Sequence, residues 1–75
     1  MVSINLNRAK SFVGKVANLH TSRGDVIVAV KILSIYHNTF KKHILKYKAN
    51  GRVNIIDLQY IIEIVPIALY QEVTV

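Results

Sequence analysis

Three histidines, four acids and several aromatics lying among lysines are the residues of this chain with chemical reach. Zinc or nickel needs three or four converging ligands, often with histidines two apart on one strand face. His20, His37 and His43 lack that spacing. A turn signal separates His37 from His43, and no carboxylate joins them in sequence. No metal site is predicted, and a surface or nucleic-acid-facing place is expected for the histidines. Catalysis needs a nucleophile with a base and an orienting group, or paired carboxylates. The chain has no cysteine, no serine in a nucleophile-elbow context, and glycines isolated at 14, 24 and 51. No Gly-rich phosphate loop follows from them. The reading is therefore a protein that is not an enzyme, with no catalytic residue and no cofactor.

What remains is a basic and aromatic constellation. The formal charge is +6. Positions 1–52 hold all ten Lys and Arg and one acid, Asp25, whereas 53–75 hold Asp57, Glu63 and Glu72 and no Lys or Arg. The densest stretch is Lys41, Lys42, Lys46, Lys48 and Arg52, with no acid among them. Such a segment is the electrostatic footprint of a polyanion partner, or else a solvated surface that keeps the chain soluble. Tyr36, Phe40, Tyr47 and Tyr60 lie close to it in sequence. Aromatic faces for bases and cations for the backbone are the two parts of a single-strand nucleic-acid platform. Phe40 is the preferred stacker, with core packing as its alternative; Tyr47 and Tyr60 read as structural. The lysines and Arg52 would be phosphate contacts, which position a ligand without reading its sequence.

The elements that must position these residues are short. Leu6, Ala9 and Val13, with Phe12 beside them, predict a helix over 4–13, capped by Ser3 or Asn5 and ended by Gly14. From Lys15 the period becomes two, giving a first strand through Thr21. Ser22-Arg23-Gly24-Asp25 is a turn. Val26 to Tyr36 is a long second strand. Its run Val26–Val30 is apolar on both faces, so it is covered on both sides or sharply bent. After the turn Tyr36–Thr39, a third strand runs from Phe40 to Tyr47, with Lys42 and Lys46 on one side and Lys41 on the other. Lys48-Ala49-Asn50-Gly51 is a hairpin turn. Arg52 to Asp57 is a fourth strand, Leu58-Gln59 a corner, and Tyr60 to Val65 a fifth strand stopped by Pro66. Residues 67–75 form a tail, expected as an edge strand or a docked extension.

A short helix followed by five strands predicts a mainly β, strongly bent small barrel over about 15–66, as one domain. A chain of 75 residues buries only about 60–65% of its unfolded surface. With no cysteine to cross-link it, self-association is the expected support. The first ten residues carry no apolar secretory core, and no run reaches the roughly 18 apolar residues of a membrane helix. A cytoplasmic location without a membrane partner is expected.

At this point the chain resembles the Sm-like family of Sm, Lsm and Hfq proteins. Val13-Gly14-Lys15-Val16 looks like the family's Gly-Lys lead into its first strand, and Arg23-Gly24 sits where the family has its first hairpin glycine. Tyr36-His37-Asn38-Thr39-Phe40-Lys41 is similar to the aromatic-Asp-x-x-apolar-Asn stretch. Ile56 to Pro66 has the length and apolar pattern of the second motif, with a closing proline like that of Hfq. The likeness covers about 4–66. It departs from the family at the pocket that holds uridine. His37 stands for Asp, Lys41 or Asn38 for Asn, Asp57-Leu58 for Arg-Gly, and Leu58-Gln59 for the Lys-His of Hfq. The resemblance implies fold and ring assembly more strongly than uridine recognition.

It implies a homo-oligomeric ring, a hexamer or heptamer, in which the fourth strand of one copy pairs with the fifth strand of the next. Val53, Ile55, Ile62 and Ile64 are the expected interface residues. The expected function is single-stranded RNA binding through Tyr36, His37, Asn38, Phe40, Lys41, Lys42, Lys46, Lys48 and Arg52. Two other readings stay open: a protein-interaction barrel that has lost RNA recognition, and a small basic barrel that binds duplex DNA.

Overall fold

The computed structural model describes residues 4–67. Ser3, one of the two expected caps, and the tail from Ala68 onward lie outside the described residues. The chain is mainly β. A helix α1 (Leu6–Lys10) precedes five strands: β1 (Val16–Thr21), β2 (Val26–His37), β3 (His43–Ala49), β4 (Arg52–Asp57) and β5 (Ile61–Pro66). They form one antiparallel sheet in the order β4-β3-β2-β1-β5. The sheet is not closed: β4 and β5 are its two edges.

The helix is shorter than its apolar pattern suggests. Asn5 caps it, its Oδ1 accepting from the Asn7 and Arg8 N–H groups at 2.8 and 3.3 Å. Beyond Lys10 the chain tightens, with Phe12 and Val13 N–H groups reaching back three residues to Ala9 and Lys10. Gly14 then turns it into β1. Ala9 and Phe12 still reach the core, because that turn keeps them on the inner side. The Arg8 guanidinium makes a two-pronged bond to Glu63 on β5 (2.9 and 3.2 Å) and lies 5.4 Å from the centre of the Phe12 ring. This ties the helix to an edge strand 55 residues away in sequence.

The double-faced run Val26–Val30 is bent, not covered. Opposite Asn18, β2 carries one extra residue, and Ala29 takes a left-handed φ of 56°. Asn18 Oδ1 accepts the Ala29 N–H at 2.9 Å, which holds the bulge. Val26 and Val28 stay exposed while Val30 and Ile32 turn into the core. A second bulge between Ile32 and Ser34 bends β2 again before it pairs with the rest of β3. Such bulges increase local twist. The core forms between the bent sheet and the helix, with Leu19, Val30, Ile32, Leu45, Ile61 and Ile64 wholly buried.

Several strand boundaries differ from the sequence reading, β2 reaching His37 and β3 reaching Ala49 among them. β3 starts at His43 rather than Phe40, because residues 38–42 fold into a turn. The final strand includes Pro66, opposite Ala17, and starts at Ile61 after a 3-10 turn over Leu58–Tyr60. Proline is tolerated there because β5 is an edge, where a missing N–H interrupts no second ladder. At the hairpin expected over Lys48–Gly51, β3 runs on to Ala49, so only Asn50 (φ 53°) and Gly51 (φ 78°) form the turn, both with the positive φ that a two-residue turn requires. No helix among the described residues is long and apolar enough to cross a membrane.

Candidate functional site

The β2–β3 loop is built by one side chain. Asn38 Oδ1 accepts the N–H groups of Phe40 (2.9 Å) and Lys42 (3.0 Å). The Asn38 backbone N–H donates to the Lys42 carbonyl at 2.9 Å, and the Lys41 N–H to the Asn38 carbonyl at 3.1 Å. Lys41 absorbs the reversal with φ 60°. The side-chain oxygen of Asn38 is thus committed to its own loop. Asn38 therefore shapes the loop, a structural role beside the ligand contact expected of it. The same turn lifts Lys41 and Lys42 off the strand, so they do not alternate across β3. At the loop's base the His37 and His43 rings, opposite each other in register, stack 4.8 Å apart with 20° between their planes.

Phe40 caps this loop with 80% of its surface exposed, the largest figure among the exposed apolar residues described. An aromatic left in water at the tip of a well-bonded turn contributes nothing to the core. Of the other aromatics, Tyr47 is core as expected. Tyr60 is half exposed, against the structural reading made for it.

Beneath the loop lies an open cavity of about 300 Å³. Lys41, Lys42 and His43 line one wall, and Asp57 and Gln59 the other. Ile4, Leu6 and Leu58 supply its apolar part. Asp57, which stands where the resemblance has an arginine, brings a carboxylate here. It is partly engaged: its Oδ1 accepts the Gln59 N–H and its Oδ2 the Gln59 side-chain amide, both at 3.1 Å. Lys42 Nζ stands 3.8 Å from the same carboxylate. An apolar floor with a few convergent polar groups suits a small planar ligand such as a base. Lys41, unlike Lys42, takes part in no ion pair among the described residues.

The expected basic set divides in two. Directly opposed residues of antiparallel strands project to the same side. Lys48 faces Val53 and Lys46 faces Ile55 across β3–β4, on the outer side of the sheet. Tyr36 faces Ile44 there too. Arg52 is opposite Ala49 and so projects to the other side, apart from Lys46 and Lys48. Of the four expected interface residues, Val53, Ile55 and Ile62 are exposed on edge strands. Ile64 is corrected to the core: its side chain is wholly buried, because it shares the inner face with its partner Leu19.

The sequence reading also missed Lys31, which the register sets directly opposite Lys48. Only the strand pairing brings these two together, and nothing local to Lys31 signals it. Among the described residues, no group of three or more metal-ligating side chains converges. No family model, no curated protein and no solved structure matches the chain.

Proposed function

We propose that this protein binds single-stranded nucleic acid, with RNA as the ligand its Sm-like resemblance favours, and that it holds the strand without chemistry. The observation that carries the reading is Phe40, exposed in the β2–β3 loop beside Lys41, itself one of the residues that line a partly apolar cavity. Unpaired bases offer faces to stack on and leave phosphates for the lysine. A duplex hides those faces, so the loop favours single strands.

The assembly belongs to the same proposal. β4 and β5 leave their outer backbone groups without a sheet neighbour, and β4 exposes Val53 and Ile55 by 56% and 59%. Free apolar edges aggregate unless covered. Pairing β4 of one copy with β5 of the next satisfies both edges, and repetition closes a ring of six or seven copies. The barrel is completed between copies, and every loop carrying Phe40 is presented in the same sense.

Replacing Phe40 tests the ligand. Phe40→Ala is expected to weaken binding of labelled oligouridine in fluorescence anisotropy by about 1–3 kcal/mol, the usual worth of one stacked base. Its thermal midpoint should match the unmodified protein, because the ring packs against nothing essential. Unchanged affinity would remove the loop as the site.

A further inference from the structure

The outer side of β2–β3–β4 carries a pattern that folding alone does not reward. Lys31 and Lys48 are opposite each other. Lys46 is the next outward residue along β3, opposite Ser34, and Tyr36 continues the outer side of β2 toward the loop. Like charges directly opposite on a sheet are destabilising. The ion pairs among the described residues are Arg8–Glu63 and Lys42–Asp57, and neither involves these three lysines. Val53 and Ile55, their outward neighbours on β4, bring no negative charge beside the lysines; the acid of this side, Asp57, stands opposite Ile44 at the Tyr36 end, where Gln59 donates to it and Lys42 lies 3.8 Å away. Three cations with no acid between them, running from an exposed tyrosine, form a surface that an extended polyanion would satisfy.

Resting on the single-strand reading above, we infer that this outer face is a second contact surface for the same strand: Lys31, Lys46 and Lys48 take backbone phosphates, and Tyr36 bridges them to the loop. Tyr36 favours nucleic acid over an acidic peptide, because an aromatic among cations matches alternating bases and phosphates. The spacing agrees. Outward residues two apart on a strand are about 6.6 Å apart, so Lys46 and Lys48 extend the contact well beyond the loop. The ligand would then be longer than one that meets the loop alone.

The test compares labelled oligouridines of about 4 and about 16 nucleotides, the span of known single-strand site sizes. They, and poly-glutamate beside them, are titrated with the unmodified protein and with the double variant Lys31→Gln, Lys48→Gln. The 16-mer is expected to bind the unmodified protein more tightly than the 4-mer. In the double variant its affinity should fall about tenfold, and the slope of log K against log salt should become shallower by about 1.4, two phosphates' worth for a single strand. The 4-mer should be unaffected, and the thermal midpoint should hold or rise as the opposed charges vanish. A 16-mer whose affinity and slope survive the double change overturns the inference and leaves the loop reading intact. Loss confined to poly-glutamate binding overturns it in favour of an acidic protein partner. A 16-mer weakened by the double change, with no 4-mer binding at all, keeps this face and removes the loop. Binding of neither oligonucleotide by the unmodified protein removes both.

Discussion

Lys41 occupies a backbone conformation that a β-carbon resists. Its φ of 60° costs an ordinary L-residue about 1–2 kcal/mol. Glycine would relieve that strain, offset in part by the extra freedom glycine gains when unfolded. Lys41→Gly is therefore expected to hold or raise the urea midpoint while weakening oligonucleotide binding. Lys41→Ala should weaken binding equally and leave the strain in place. If both variants bind as well as the parent, the charge at 41 serves no ligand. The asymmetry between residues 38 and 41 also marks what residue types disclose. An asparagine two and four residues before its donors is a familiar turn-builder, so the role of Asn38 was readable from type and spacing. The left-handed lysine has no such sign, since nothing in its neighbours names the position that must reverse.

At the scale of elements, α1 depends on β5 for its position. A helix of five residues is far too short to persist alone. The Arg8 hydrogen bonds hold the Glu63 carboxyl below the usual glutamate range, against a smaller opposing effect of desolvation; the Arg8 charge adds to the lowering. A carboxylate whose folded pKa is depressed contributes stability above its unfolded pKa and loses it as pH falls through the folded value. Stability should thus decline on acidification below about pH 4–5, the ordinary glutamate region and under. Glu63→Gln should lower the midpoint at neutral pH and flatten that acid limb in a thermal series. An acid limb identical in both proteins would mean that the contact does not order the helix. Period-two patterning disclosed the five strands and the Asn50-Gly51 turn, because alternation and turn chemistry are local. It did not disclose where β3 begins, since Phe40 and Ile44 continue an apolar pattern across a turn set by the Asn38 side chain. Nor did it show that Ile64 faces inward, because bulges change the face that a given position presents.

For the whole molecule, both edges of the open sheet and the unequal spread of charge point outward, to copies and to a polyanion. Introducing charge on one edge tests the assembly: Val53→Lys with Ile55→Lys should reduce the light-scattering mass to that of one chain, with the circular dichroism of the β-sheet retained. A mass that stays at several copies would mean that β4 is not the joining edge. Neither the pairing of Lys31 with Lys48 nor the divergence of Arg52 from its neighbours was legible in the chain, because both depend on strand register. The central claim is that this protein grips single strands through aromatic faces and cations. Its most direct test is an anisotropy titration of oligouridine, oligoadenine and duplex DNA at low and moderate salt. Single strands should bind more tightly than the duplex. The slope of log K against log salt should be roughly −2.8 if Lys41 and the three outer lysines each meet a phosphate. A duplex bound as tightly as the single strands, or an affinity indifferent to salt, would contradict it.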